Sequence, residues 1–121
     1  MSQSFGARLA ESMVQHGPLC LGIDPHTELL QAWGLTNDPA GLATFSKTIV
    51  EAAAETTGVA ALKPQVALYE RFGSAGFAVL EETLELARQA NIVTIADAKR
   101  GDIGSTMAGY AQAWLADGSS L

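Results

Sequence analysis

The sequence has one cysteine, Cys20, among its 121 residues, and it has no cluster of cysteine and histidine. A single thiol cannot form an intramolecular disulfide, and a zinc site needs several cysteine or histidine ligands. Cys20 lies within the apolar run 19–21, so the sequence predicts a buried thiol. A protein with this cysteine usage is typical of the cytoplasm, which is the location that we expect.

Positive charge is also scarce, with 7 Lys and Arg against 13 Asp and Glu and a net charge of −6. The cations are scattered, which argues against nucleic acid as a partner. An anionic ligand must therefore be held by a few placed cations. The apolar runs are too short to span a membrane, and residues 1–5 lack the basic and then apolar pattern of a secretory signal. We expect no nucleic-acid partner and no membrane partner.

Three short runs rich in Val, Ile, Leu and Ala are the candidate strands of this chain. They cover 19–23, 59–62 and 92–96, and none of them alternates apolar with polar residues. Such runs are typical of strands buried on both faces of a parallel sheet. The sequence therefore predicts three buried parallel strands.

Helical spacing of apolar residues separates the candidate strands. The predicted helices are one from Phe5 to a stop at Gly17 and Pro18, one opened by the cap and proline pair Asp38 and Pro39, one over about 74–89, and one that starts near Ser105. Strands that alternate with helices predict an α/β fold with right-handed crossovers.

A charged residue stands at the carboxyl end of each predicted strand. Asp24 follows the first strand, Lys63 the second and Asp97 the third. The carboxyl ends of parallel strands meet at one edge of the sheet, and α/β proteins build their sites there. The three positions therefore predict one shared site.

The run 97–102 holds the densest group of charges, Asp97, Lys99 and Asp102. If the third strand continues to Lys99, the period of two places Asp97 and Lys99 on the same face. Two carboxylates beside one ammonium favour its charged form. A lysine held in this way can act as a general acid or stabilise a carbanion. Lys63 adds a second cation and Asp24 a third anion.

Each of these residues also has a purely structural interpretation. The run 97–102 on its own could be a solvated loop that caps the next helix. The Lys63–Pro64 pair could be a strand terminus, and the Asp24–Pro25 pair a turn. The coincidence of charges at three strand ends favours a site.

The motif Asp97-Ala98-Lys99-Arg100-Gly101-Asp102, within the run 95–106, resembles the signature of the orotidine 5'-phosphate decarboxylase family. The runs 19–25 and 62–67 are similar to the ends of that family's first and second strands. The resemblance covers nearly the whole chain in order. It implies a partial (β/α)8 TIM barrel, made of the first three βα units and an N-terminal helix.

A complete barrel of this kind takes about 250 residues. We therefore expect residues 1–121 to be the N-terminal part of a single decarboxylase domain that ends before the fourth strand. The phosphate-binding residues are expected beyond this segment. On its own the segment is expected to be inactive and poorly soluble, and the full-length protein is expected to form a homodimer.

The resemblance also implies a role for each matching residue. Lys99 would give a proton to C6 of orotidine 5'-phosphate after carbon dioxide leaves, forming uridine 5'-phosphate in pyrimidine synthesis without a cofactor or metal. Asp97 would lie near the substrate carboxylate and, with Lys63 and Asp102, would hold Lys99. The remaining matches would bind substrate: Asp24 and Lys63 at the ribose, and Asp102, Ile103 and Thr106 across the dimer interface.

Two other functions remain open from the sequence. One is a related sugar-phosphate barrel enzyme, such as a keto-gulonate-phosphate decarboxylase or hexulose-phosphate synthase. These use magnesium and place a metal ligand at the end of the second strand, where this chain has Lys63. The other is a non-catalytic segment that serves folding or interaction.

Overall fold

The three apolar runs form a parallel sheet in the order β1-β2-β3, with β1 Leu19–Ile23, β2 Val59–Pro64 and β3 Val93–Thr94. The computed structural model describes residues 3–121. The central strand β2 is buried along almost its whole length, as its unbroken apolar sequence predicts. The predicted α/β fold is confirmed.

The prediction of burial on both faces is wrong for β1. Leu19 is 52% exposed and Cys20 is exposed as well, so the expected buried thiol is also wrong. Within residues 3–121 the strand β1 pairs with β2 alone and lies at the sheet edge, which leaves its first residues uncovered. The strand β3 is shorter than the predicted 92–96, and beyond it Asp97 forms an isolated bridge to Gln65.

The described part of the chain has six helices. They are α1 Phe5–His16, α2 Thr27–Ala32, α3 Pro39–Glu55, α4 Ala67–Glu70, α5 Gly73–Gln89 and α6 Gly104–Trp114. The four predicted helices α1, α3, α5 and α6 are confirmed to within a few residues. The short helices α2 and α4 were not predicted, because an apolar period of 3.6 cannot be recognised over one or two turns. No helix in the described range is long and apolar enough to cross a membrane.

The predicted cap at Asp38 is confirmed. Its Oδ1 accepts hydrogen bonds from the Gly41 backbone N–H at 2.8 Å and from the Thr36 hydroxyl at 2.7 Å. The Gly41 N–H stabilises the carboxylate and, with Thr36, holds the pKa of Asp38 below its usual value. Pro39 follows at the first helical position, where its missing N–H costs nothing.

The core lies between the sheet and the helices α3 to α5. Its largest fully buried side chain is Tyr69, packed with apolar residues of α3, β2 and α5, among them Phe45, Leu62 and Leu80. The Tyr69 hydroxyl shares a hydrogen bond of 2.8 Å with the buried Ser46 hydroxyl. Burial raises the pKa of Tyr69 to about 12, and the Ser46 bond only partly offsets this. The two hydroxyls satisfy each other inside an apolar core.

Replacement of Tyr69 by phenylalanine is expected to lower the free energy of unfolding by about 1–3 kcal/mol, because it leaves the buried Ser46 hydroxyl without its partner. The measurement is equilibrium unfolding in denaturant of the full-length protein that contains this chain. Tyr110→Phe, at a half-exposed position, is the matched control and should change stability little.

The same residue predicts a dependence on alkaline pH. The pKa of Tyr69 is raised above its usual value of 10.0, so the neutral form is favoured in the folded state. Its contribution to stability is complete below pH 10.0 and is lost as the pH rises towards about 12. Tyr69→Phe should remove this part of the alkaline loss, and an unchanged alkaline profile would contradict the assignment.

Candidate active site

The three strand-end charges lie at the same edge of the sheet. In the register of β1 and β2, Gly22 pairs with Lys63 and Ile23 with Pro64. One residue further on, the Gln65 N–H donates to the Ile23 carbonyl at 3.0 Å, and Gln65 also bridges to Asp97. This register brings the residues that follow all three strands together, as the spacing of charges predicted.

Lys99 forms the centre of the charged group. Its Nζ donates to Asp97 Oδ2 at 2.6 Å and to Gln65 Oε1 at 2.9 Å, and Gln65 Nε2 lies 3.4 Å from the same Asp97 oxygen. The Lys99 side chain is 65% exposed and that of Asp97 24%. The acid and the amide therefore hold an ammonium group that remains accessible to a ligand.

The backbone reaches this arrangement by a route that the sequence did not predict. The strand β3 ends at Thr94, so Lys99 does not continue it. Lys99 instead adopts φ 56°, in the left-handed region that few residues other than glycine occupy. The turn, and not strand alternation, brings the Lys99 side chain back onto Asp97. Such strained residues are concentrated at functional sites, where the surrounding structure holds them in place.

Gln65 is a site residue that the sequence analysis did not identify. The run 62–67 that resembles the end of the family's second strand includes Gln65, but an isolated glutamine carries no charge pattern that marks it as a site residue. It lies next to Asp97 because β2 and the segment after β3 are in register at this point. Its amide contacts both members of the ion pair, so it fixes their relative position.

The pKa of Asp97 is lowered from its usual value of 3.8, first by the hydrogen bond from Lys99 and then by the charges of Lys99 and Lys63 and by Gln65. Partial burial acts in the opposite direction and is outweighed. The carboxylate contributes to stability above pH 3.8, and this contribution is lost as the pH falls through the lowered pKa. Asp97 is therefore an anion throughout the neutral and weakly acidic range.

We expect Lys99→Met to raise the pKa of Asp97, since that change removes the largest stabilising contact of the carboxylate. The side-chain carboxyl carbon of Asp97, followed by NMR during an acid titration, measures the change. Lys47→Met is the control, because Lys47 pairs with Glu51 on the outer surface of α3. A midpoint that is the same in Lys99→Met and wild type would contradict the geometry.

A cavity of about 470 Å³ opens beside the charged group. Lys63, Asp97 and Lys99 line one part of it, and Met107, Tyr110 and Trp114 of α6 line another. A wall of large apolar side chains strengthens the electrostatic interactions of a ligand held against the charges, because it lowers the local dielectric. Charged groups and large apolar side chains therefore face the same cavity.

Asp102, Ile103 and Thr106 are not part of this charged group. All three are exposed, and Asp102 Oδ1 accepts a hydrogen bond of 2.7 Å from the Ile103 N–H. The ion pair of Lys99 within residues 3–121 is with Asp97, so the expected second carboxylate does not lie beside Lys99 in this chain. The backbone turns at Gly104, with φ 59°, and begins α6 there.

Asp24 lies at the end of β1 and is half-buried. A Cβ atom at position 22 would lie 2.7 Å from Asp24 Oδ1, so a larger residue there would displace the carboxylate from its present position. The His26 N–H donates to the Asp24 carbonyl at 2.7 Å. The site therefore has Asp24 next to β1, Lys63 on β2 and the Asp97–Lys99 pair after β3.

A family model described as "Orotidine 5'-phosphate decarboxylase / HUMPS family" matches residues 17–121. A Corynebacterium efficiens protein named orotidine 5'-phosphate decarboxylase is 60% identical over 121 residues, which are 100% of this chain and 42% of that protein. A Streptomyces coelicolor protein of the same name is 59% identical over 113 residues, covering 93% of this chain and 40% of that protein. The chain thus spans about two fifths of the length of these curated relatives.

Solved structures agree with these matches. A crystal structure of a candidate orotidine 5'-phosphate decarboxylase from Streptomyces avermitilis is similar with a TM-score of 0.94 and 58% identity, over 100% of this chain and 42% of that one. The Leishmania donovani OMP decarboxylase is similar with a TM-score of 0.73 and 32% identity, over 92% of this chain and 39% of that one.

Proposed function

This chain belongs to the orotidine 5'-phosphate decarboxylase / HUMPS family, and we propose that the protein that contains it converts orotidine 5'-phosphate to uridine 5'-phosphate and carbon dioxide. The observation that carries the proposal is the Lys99 ammonium held 2.6 Å from Asp97 and 2.9 Å from Gln65 at the edge of the cavity. We propose that this reaction serves pyrimidine synthesis in the cytoplasm.

In the proposed reaction the bond between C6 and the carboxyl carbon breaks, and its electron pair stays on C6. Lys99 stabilises that developing carbanion and then gives it a proton from Nζ, after which solvent reprotonates the amine. The attraction grows as charge develops at C6, so it favours the transition state over the bound substrate. The hydrogen bonds from Lys99 to Asp97 and Gln65, which fix the position of its ammonium group, support this role.

Asp97 has a second proposed part in the reaction. Placed near the substrate carboxylate, it repels that group until neutral carbon dioxide departs. Two unit charges about 4 Å apart interact by roughly 4 kcal/mol at an effective dielectric of about 20. The lowered pKa of Asp97 supports this part, because only the ionised carboxyl repels the substrate. The proposed chemistry uses the acid–lysine pair and assigns no step to a cofactor.

The other residues are proposed to bind substrate. Lys63 and Asp24 would contact the ribose hydroxyls from the ends of β2 and β1. Asp102, Ile103 and Thr106 would reach the site of a second protomer in a homodimer. Their exposure supports that role, since Ile103 is 84% exposed and Asp102 makes no ion pair within residues 3–121.

We also propose that residues 1–121 are the N-terminal part of a single (β/α)8 barrel domain. The superposition on 42% of the Streptomyces avermitilis chain supports this, as does the family match from residue 17 onwards. The groups that hold the substrate phosphate would then come from other parts of the barrel.

The test joins this chain to the rest of its own protein, or to the remaining part of the Corynebacterium efficiens relative. Loss of the pyrimidine absorbance of orotidine 5'-phosphate and release of carbon dioxide are then measured together. Turnover that continues in the presence of a chelator is the expected result.

Two outcomes would overturn the proposal. If orotidine 5'-phosphate is not consumed and a sugar phosphate is converted in a chelator-sensitive reaction, the protein is the magnesium-dependent relative. If neither substrate reacts, even with the remaining part of the barrel added in trans, the chain is a folding or interaction module.

A further inference from the structure

Arg71, directly after α4, uses its whole guanidinium group in contacts although its side chain is exposed. Its Nε donates to the Leu68 carbonyl at 3.1 Å, Nη1 to the Thr27 hydroxyl at 2.8 Å, and Nη2 to the Pro25 carbonyl at 2.9 Å. Its Cζ also lies 4.5 Å from the centre of the Phe72 ring. A planar guanidinium group that donates hydrogen bonds from all three nitrogens and stacks on an aromatic ring has little conformational freedom.

These contacts join two segments that are far apart in the sequence. Pro25 belongs to the loop after β1 and directly follows Asp24, and Thr27 is the first residue of α2. Leu68 lies in α4, which begins a few residues after Lys63 at the end of β2. Arg71 therefore connects the loop that carries Asp24 to the segment that follows Lys63.

Glu70, the residue before Arg71, makes the corresponding contact to the loop after β3. Glu70 forms an ion pair with Arg100, and Arg100 Nη1 donates to the Ala98 carbonyl at 2.6 Å. Ala98 lies between Asp97 and Lys99. The Val66 N–H also donates to the Asp97 carbonyl at 3.2 Å. The segment 66–71 thus holds the loop after β1 with Arg71 and the loop after β3 with Glu70.

We propose that Arg71 is a positioning residue that holds the Asp24 loop ready for the ribose, an inference that rests on the proposed function. Arg71 does not line the cavity beside Lys99, so its effect would pass through the loop. Without it the Pro25 carbonyl and the Thr27 hydroxyl lose their contact with α4. The loop then has to be ordered when substrate binds, and that ordering weakens binding.

The first experiment measures the loop without any substrate. Amide hydrogen exchange of the full-length protein is followed by mass spectrometry in wild type, Arg71→Met and the control Arg88→Met. Arg88 is a matched control because it is an exposed arginine that pairs with Glu85 of its own helix. We expect faster exchange in peptides that cover 24–31 for Arg71→Met alone, with exchange of β2 unchanged.

The second experiment separates KM from kcat. Arg71→Met should raise KM for orotidine 5'-phosphate about tenfold, because the loop has to be ordered when substrate binds, with kcat kept within about twofold. Added guanidinium ion should lower KM again, and Arg71→Lys should give an intermediate KM because it keeps the charge and loses the fork. Arg88→Met should have the KM of wild type.

Three outcomes would overturn the inference. They are unchanged exchange at 24–31, an unchanged KM, or a fall in kcat without a rise in KM. If Arg71→Met does not fold, Arg71→Lys decides by the same two measurements. If wild type does not consume orotidine 5'-phosphate, the proposed function fails, and the exchange experiment still shows whether Arg71 orders the loop.

Discussion

Replacement of Lys99 by alanine should lower kcat of the full-length protein by roughly two to four orders of magnitude, the usual range for loss of a general acid. The variant removes the only ammonium group that contacts Asp97 within residues 3–121, and with it both the proton donor and the positive charge at the developing carbanion. Release of carbon dioxide from orotidine 5'-phosphate under saturating substrate measures the effect.

Lys47→Ala is the control for this variant. Lys47 and its partner Glu51 are each 61% exposed on α3, 3.9 Å apart, and exposed pairs of this kind contribute little. The control should therefore keep wild-type kcat and stability. A Lys99→Ala enzyme with near-normal turnover would remove Lys99 from the mechanism.

Replacement of Asp97 by asparagine should lower kcat by roughly two to three orders of magnitude, the range found when one preorganised electrostatic contact is removed. Asparagine has nearly the same shape, so the contact to Gln65 is kept while the charge is lost. Lys99 then has no carboxylate partner among the described residues, and its position becomes less defined.

The KM of this variant distinguishes the two proposed parts of Asp97. If the carboxylate repels the substrate, its removal should lower KM together with kcat, because strain in the bound substrate is relieved. Asp117→Asn, at an exposed position after α6, is the control and should change neither constant. A kcat equal to that of wild type in Asp97→Asn would contradict both proposed parts.

The exposure of Lys99 bears on how these two variants should be interpreted. With 65% of its side chain exposed, the ion pair with Asp97 is screened by water and contributes little to folding. Loss of activity in these variants should therefore occur without a large change in unfolding temperature. The same pair gains strength when a ligand fills the cavity beside α6, because the ligand excludes water.

Local signals in the sequence were sufficient for most of the fold. The β1 bounds, 19–23, are those predicted from the apolar run, and Asp38 caps α3 as predicted. The common edge of Asp24, Lys63 and Asp97 was also predictable, since the carboxyl ends of parallel strands meet at the same edge of the sheet. Runs, caps and strand ends involve only neighbours in the chain, so the sequence alone determines them.

The tertiary structure alone decided which side chains meet at that edge. Gln65 contacts Lys99 from 34 residues away, and Arg71 contacts Pro25 from 46 residues away. Strand register sets the first of these contacts and the position of α4 sets the second, and neither leaves a pattern in sequence.

The left-handed turn at Lys99, the exposure of Cys20 at the sheet edge and the lack of an ion pair between Asp102 and Lys99 among the described residues were also not predicted. The exposure of Cys20 follows from the position of β1 at the edge of the sheet within residues 3–121. Local chemistry determined the elements of this protein and the edge that carries its charges, and packing between distant segments determined the contacts of the site.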